Sequence, residues 1–205
     1  IYDTTLRDGN QSEDINLSPD DKIKIARKLD DLGVDYIEGG WPSSNDTDKA
    51  FFSEIQHYSF KNARITAFGS THYPKAKANS DSNLQALRAA NVPVLTIFGK
   101  SWDLHVKEAL RVPLERNLEI IRDSLEYLKP HCDELIFDAE HFFDGFKANP
   151  DYAISALSTA HEAGADVLVL CDTNVGIMTH ELRKAIKTVQ KALPKACIGI
   201  HVHND

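Results

Sequence analysis

The chain has 205 residues, 42% of them hydrophobic, and a formal net charge of −8; that is enough for one sizeable core and not comfortably for two. An acidic balance argues against a nucleic-acid surface, because a phosphate backbone asks for a basic stripe, but it leaves room for a small anionic substrate in a local cationic pocket. The apolar runs are too short to span a bilayer and no signal-like stretch opens the chain; three cysteines without a CxxC or an even framework point to a reduced, cytoplasmic compartment.

A strand-like run occupies residues 1–5. Ser18, Pro19, Asp20 and Asp21 then read as an N-cap, a proline at the first helical position and an acidic first turn. Ile25, Leu29 and Leu32 recur at helical spacing, and Gly33 offers a stop. Further strands are predicted at residues 34–38, 65–68 and 94–98, with Gly39, Gly40 and Gly69 letting the backbone turn where strands meet loops. Leu114, Leu118, Ile121, Leu125 and Leu128 make the clearest apolar stripe. After a strand at 135–138, Asn149, Pro150 and Asp151 repeat the start signal and Gly164 the stop. A strand at 167–171 precedes a helix carrying Leu182, Ile186, Val189 and Leu193, ended by Pro194. The last strand is predicted at 198–203.

Strands alternating with amphipathic helices, roughly thirty residues apart, imply a parallel sheet. A doubly wound open sheet and a (β/α)8 barrel compete. The first strand is followed by Arg7, Asp8, Gly9 and Asn10 in place of a dinucleotide fingerprint. Polar, chemically capable residues stand at the C-terminal ends of nearly all strands, where a barrel builds its site. The barrel is favoured. A full one needs about 250 residues and eight strands, and the chain opens on Ile1 with strand-like sequence at once. The expectation is a trimmed catalytic barrel over residues 1–205, with strands one to seven present, strand eight missing and no second domain.

His201 and His203 are two apart on a strand, so they share one side about 6–7 Å apart at Cα. They either converge on a metal or end the strand as hydrogen-bonded polar groups. A strand inside a parallel barrel should be mostly Val, Ile and Leu, yet the first carries Asp3, Thr4, Thr5, Arg7 and Asp8. Either Arg7 and Asp8 form a structural rim pair, or Asp8 ligates a metal with Arg7 as fixed positive charge. Only the missing strand separates strands one and seven in a closed ring, so Asp8, His201 and His203 can share an ion and leave positions open for substrate. Arg7 beside them suits a developing oxyanion.

Glu38, Asp138, Glu140 with His141, and Asp172 with Thr173 and Asn174 end other strands. Each alone reads as a satisfied structural group; together at one rim they become candidate substrate contacts. Lys100 is either a solvated rim lysine or the partner of a carboxylate or ligand phosphate. Phe98 is the candidate to fill space beside a reacting carbonyl. Phe142, Phe143 and Phe146 either wall a pocket or pack the core. Cys171 and Cys197 read as small buried strand residues without a local activator.

The opening Asp3-Thr4-Thr5-Leu6-Arg7-Asp8-Gly9 and the closing His201-Val202-His203-Asn204-Asp205 resemble the metallolyase barrel superfamily. That group includes the 2-isopropylmalate, homocitrate and citramalate synthases and hydroxymethylglutaryl-CoA lyase. The stretches at 38–42, 98–106 and 137–145 resemble the citramalate synthase branch, which joins acetyl-CoA to pyruvate in isoleucine biosynthesis. The resemblance implies Asp8, His201 and His203 as ligands of one divalent ion (Mg, Mn or Zn). It implies that Arg7 polarises the substrate carbonyl and holds the nascent alkoxide, and that Glu140 and Thr173 hold substrate, with Glu140 a candidate in proton transfer. It also implies acetyl-CoA as co-substrate, a further asparagine ligand on strand eight, and a homodimeric full-length protein with a regulatory domain. Asn10, Ser43, His72 with Tyr73, and Val175 depart from the family's pattern; a glycine is usual at the last position. None of these removes a ligand.

Overall fold

In the computed structural model, which describes residues 1–203, every neighbouring strand pair is parallel and the sheet runs in chain order from β1 to β7. The strands are β1 (Tyr2–Asp3), β2 (Tyr36–Gly40), β3 (Arg64–Ser70), β4 (Val94–Lys100), β5 (Glu134–Glu140), β6 (Val167–Asp172) and β7 (Cys197–Val202). Asn204 and Asp205, which close the sequence motif, lie outside the described residues. The sheet curls into a barrel. Its inner face can be traced by bonds between strands that are not neighbours. The Tyr36 hydroxyl on β2 donates to Glu134 on β5 at 3.0–3.1 Å, and the Tyr2 hydroxyl on β1 meets Thr96 Oγ1 on β4 at 2.9 Å. Among the described residues the sheet has seven strands, against the eight of a closed ring, as the sequence leads one to expect.

The helices are α1 (Pro19–Leu32), α2 (Asp46–Ile55), α3 (Ser82–Ala89), α4 (Asp103–His105), α5 (Leu114–Leu128), α6 (Phe142–Ala148), α7 (Pro150–Glu162) and α8 (Thr179–Ala192). The predicted start of α1 is present in full: Ser18 and Asp21 form a capping box, Pro19 opens the helix, and Gly33 closes it at φ 85°. Its buried face differs from the predicted stripe. Ile25 and Leu29 are only partly buried and Leu32 is 77% exposed, while Ile23, Ala26, Lys22 and Asp30 point inward. The two polar residues can be buried because their partners are built. Asp30 accepts from the backbone N–H groups of Lys61, Asn62 and Ala63 at 2.7–2.9 Å. Lys22 pairs with Asp48 and donates to the Gly39 carbonyl at 3.1 Å.

Three other expectations are corrected and one open alternative is decided. β1 is two residues long rather than five, because the amides of Arg7, Asp8 and Gly9 all turn back to the Thr4 carbonyl at 2.8–3.1 Å. β2 runs on through Gly39 and Gly40. A Cβ at Gly39 would lie 2.2 Å from the Phe51 ring, so that glycine serves close packing, whereas Gly40 at φ 147° makes the turn. Cys197 is exposed rather than buried. Phe142 and Phe143 belong to the main core and not to a pocket wall.

Candidate active site

The period-two geometry of the strands sorts their side chains into levels inside the barrel. Tyr36, Arg64 and Glu134 lie at the N-terminal end, with Arg64 paired to Glu134. Thr66 and Thr96 meet at 3.2 Å above them, beside Tyr2. Next come Glu38, Phe68, Phe98, Asp138 and His201, and beyond these Arg7, Asp8, Lys100, Glu140 and His203. The chemically capable residues therefore collect at the C-terminal end, where loops can add to them.

Asp8 and His201 bring the two ends of the sheet together: Asp8 Oδ2 lies 3.5 Å from His201 Nε2. The His201 and His203 rings stack at 4.8 Å and 17°. Ligand atoms of Asp8, His201 and His203 lie within 4.8 Å of one another. A carboxylate and two imidazoles so placed fit a divalent ion and leave coordination positions for substrate. The hydrogen bond between them holds His201 above the usual histidine range and Asp8 below the usual carboxylate range.

Arg7 is fixed from three sides. Nε donates to Glu38 Oε1 at 2.5 Å, Nη2 to Glu38 Oε2 at 3.5 Å and Nη1 to Asp8 Oδ1 at 3.0 Å, and Cζ sits 3.9 Å from the centre of the Phe68 ring. Burial works against its charge, but Glu38 outweighs burial and keeps the guanidinium above its ordinary range. Glu38 is itself held by the end of β2, which the buried Lys22–Asp48 pair secures: Asp48 also accepts from the Trp41 amide at 2.8 Å. Phe68 stacks on Phe98 at 5.5 Å, and Trp41 meets both edge-on. Asp138 is pushed up to about 7, first by burial and then by the charge of Glu38. A cavity of ≈ 980 Å³ opens between β1 and β7, lined by Asp8, Asp138, His201 and His203 among others.

Glu140 pairs with Lys100, its register partner on β4. Lys100 is supported from behind, where the buried Asn117 amide donates to its carbonyl and to the Tyr152 hydroxyl at 2.8 Å each. Thr173 Oγ1 accepts from the His141 amide at 3.0 Å. His105, unremarked in the sequence, lies edge-on to His141 at 4.5 Å beside Trp102. Asp172 does not face the site as a free acid. It caps its own loop, accepting from the Gly176 and Ile177 amides at 3.1 and 3.2 Å.

That loop carries Val175 at φ 56°, the left-handed region, which costs an L residue about 1–2 kcal/mol and a β-branched one most of all. Val175→Gly is expected to stabilise the protein by about 0.5–1 kcal/mol after glycine's own entropy cost. For a chain of this size that is roughly 1–4 °C in melting temperature. A lower melting temperature would show that the loop does not hold this conformation.

Residues 1–205 match the family model described as HMGL-like. The chain is 55% identical over 205 residues to an (R)-citramalate synthase of Aquifex aeolicus (strain VF5) and 57% identical to one of Geobacter sulfurreducens, covering all of this chain and 39% of each relative. It thus spans about two fifths of the length of those relatives. A solved HMG-CoA lyase from Bacillus subtilis superposes with a TM-score of 0.78 at 16% identity, over 99% of this chain and 67% of that one. At that identity the likeness speaks for the barrel fold alone.

Proposed function

The chain belongs to the HMGL-like family, and on that premise we propose that it is the catalytic barrel of an acyl-CoA:2-oxo acid condensing enzyme of the citramalate synthase type. The observation that carries the chemistry is the convergence of Asp8, His201 and His203 beside an Arg7 locked by Glu38 and Phe68. The two (R)-citramalate synthases support pyruvate as the oxo acid and acetyl-CoA as the co-substrate. The balanced reaction is pyruvate plus acetyl-CoA plus water giving citramalate and CoA.

Asp8, His201 and His203 would hold the metal, as Mg, Mn or Zn. When bound, that ion supplies Lewis acidity toward the keto oxygen and carboxylate of the oxo acid. Arg7 keeps donors beyond those bound to Glu38 and Asp8, and it presents them to the oxygen that turns from carbonyl to alkoxide as the carbon–carbon bond forms. Because the guanidinium is already fixed, little reorganisation is needed at that moment. Glu140, paired with Lys100, would be the carboxylate that receives a proton from the acetyl methyl group, and Thr173, bonded to the His141 amide, would help hold substrate at the same rim. Asp138 and Glu38 line the floor below the oxo acid. Water then attacks the thioester carbonyl and CoA leaves as the thiol. A homodimeric full-length protein in a cytoplasmic setting is part of the same reading.

Release of free CoA thiol, followed with the full-length protein and each oxo acid in turn, tests it. Pyruvate is expected to give the highest kcat/KM. Faster turnover with 2-oxoisovalerate would move the protein to the isopropylmalate branch, and no release with any oxo acid would sink the condensing reaction. Selectivity is expected to depend on Phe98, part of the aromatic wall with Phe68 and Trp41. A pocket sized for a methyl group rejects larger ones by overpacking, at roughly 1–3 kcal/mol. Phe98→Ala should therefore narrow the preference for pyruvate over 2-oxobutyrate by about 10-fold; an unchanged ranking would remove Phe98 from the pocket.

A further inference from the structure

We propose that Asp138, Cys171 and His201 form a second cation position, deeper in the barrel than the Asp8–His201–His203 set, which takes a thiophilic divalent ion such as Zn²⁺ or Cd²⁺. Ligand atoms of these three lie within 4.8 Å of one another. Asp138 and Cys171 are 6% and 7% exposed, whereas the Asp8 side chain is 25% exposed. Asp138 also lines the cavity between β1 and β7, yet among the described residues its carboxylate takes no hydrogen bond and no ion pair. A buried carboxylate is ordinarily satisfied several times over. One that opens onto a cavity without a hydrogen-bond partner among the described residues, beside a thiol and an imidazole, is arranged as a ligand.

The two positions differ in charge and softness. A divalent ion with Asp8 and two neutral imidazoles keeps a net charge of about +1, which suits an anionic substrate. The same ion with the Asp138 carboxylate, the Cys171 thiolate and a neutral His201 is neutral, which suits a buried place and draws no anion. Thiolate prefers Zn²⁺ and Cd²⁺, whereas Mg²⁺ and Mn²⁺ favour oxygen-rich sets. On binding, the Cys171 thiol loses its proton to solvent and a sulfur lone pair forms the new bond; no electron is transferred. His201 belongs to both sets, so a soft ion in the deeper position withdraws a ligand from the outer one. This inference concerns a binding site and is independent of which reaction the protein catalyses.

The test is titration of the full-length protein with Cd²⁺, read by the ultraviolet thiolate-to-cadmium charge-transfer band. The band is expected in the wild type, in Cys132→Ser, in Cys197→Ser and in His203→Ala, which removes only an outer ligand. It should vanish in Cys171→Ser, with Cd²⁺ affinity lowered about 10-fold or more. Asp138→Asn, which leaves the thiol in place, should lower the affinity by a similar factor and covers the case in which Cys171→Ser fails to fold. A band that persists in Cys171→Ser, or that disappears in His203→Ala, overturns the proposal. Retained Mn²⁺ binding in Cys171→Ser would leave the outer site standing whatever the outcome for the deeper one.

Discussion

His203→Ala is expected to abolish Mn²⁺ binding at the outer site and to lower kcat/KM for condensation by about 10³-fold, because Lewis-acid stabilisation of a developing alkoxide is worth several kcal/mol and each 1.36 kcal/mol is tenfold in rate. His203 lies at the end of β7, stacked on His201, with its ligand atom in reach of Asp8. It is half-buried, so truncation opens no core cavity and the fold should survive. Elemental analysis and CoA thiol release, measured on the same preparation with a circular-dichroism melt as the folding control, separate lost metal from lost structure. Equal Mn²⁺ content in wild type and variant after loading with Mn²⁺ would sink the assignment of His203 to the outer site. Equal activity at full metal loss would sink the metal's role instead.

Much of this was legible before the structure because barrels follow a rule that sequence can express. Helix starts at Ser18-Pro19 and Asn149-Pro150 depend on local capping alone, and both are present as read. That Asp8, His201 and His203 come together was legible for the same reason. His201 and His203 are two apart at the end of one strand, and Asp8 follows the strand that must lie near it. What escaped the sequence depends on partners far along the chain. Lys22 reads as one more exposed lysine on an acidic helix until Asp48, 26 residues on, is packed against it. Glu38 reads as a rim acid until it is seen to orient Arg7. The inward levels of Tyr36 and Glu38, Thr66 and Phe68, and Thr96 and Phe98 could have been read from strict alternation. The apolar character of their neighbours hid that alternation, as happens in strands buried on both faces. β1 was overextended because nothing local announces that three amides will turn back onto Thr4.

Arg7→Lys is the sharper test of mechanism, since it keeps the charge and removes the fork. Arginine here donates to Glu38 from two nitrogens and to Asp8 from a third while lying flat on Phe68. A lysine ammonium is a compact point charge and cannot make the planar, divergent set of contacts. It would follow either Glu38 or Asp8 and leave the substrate oxygen without a fixed donor. Loss of one preorganised oxyanion donor costs about 10²–10³ in kcat. The expected result is therefore a fall of that size in kcat with metal content unchanged, which distinguishes Arg7 from His203. Stability must be read separately. Glu38 is 1% exposed, and stripping one partner from a buried pair costs about 3–5 kcal/mol, so Arg7→Ala is expected to melt well below Arg7→Lys. Adding Glu38→Gln to Arg7→Ala removes the stranded charge and should recover much of that stability while leaving kcat low. If Arg7→Lys instead turns over within about fivefold of wild type, then charge alone suffices at this position and the fork serves the fold rather than the alkoxide. If the double variant regains activity together with stability, Arg7 acts only by keeping Glu38 in place.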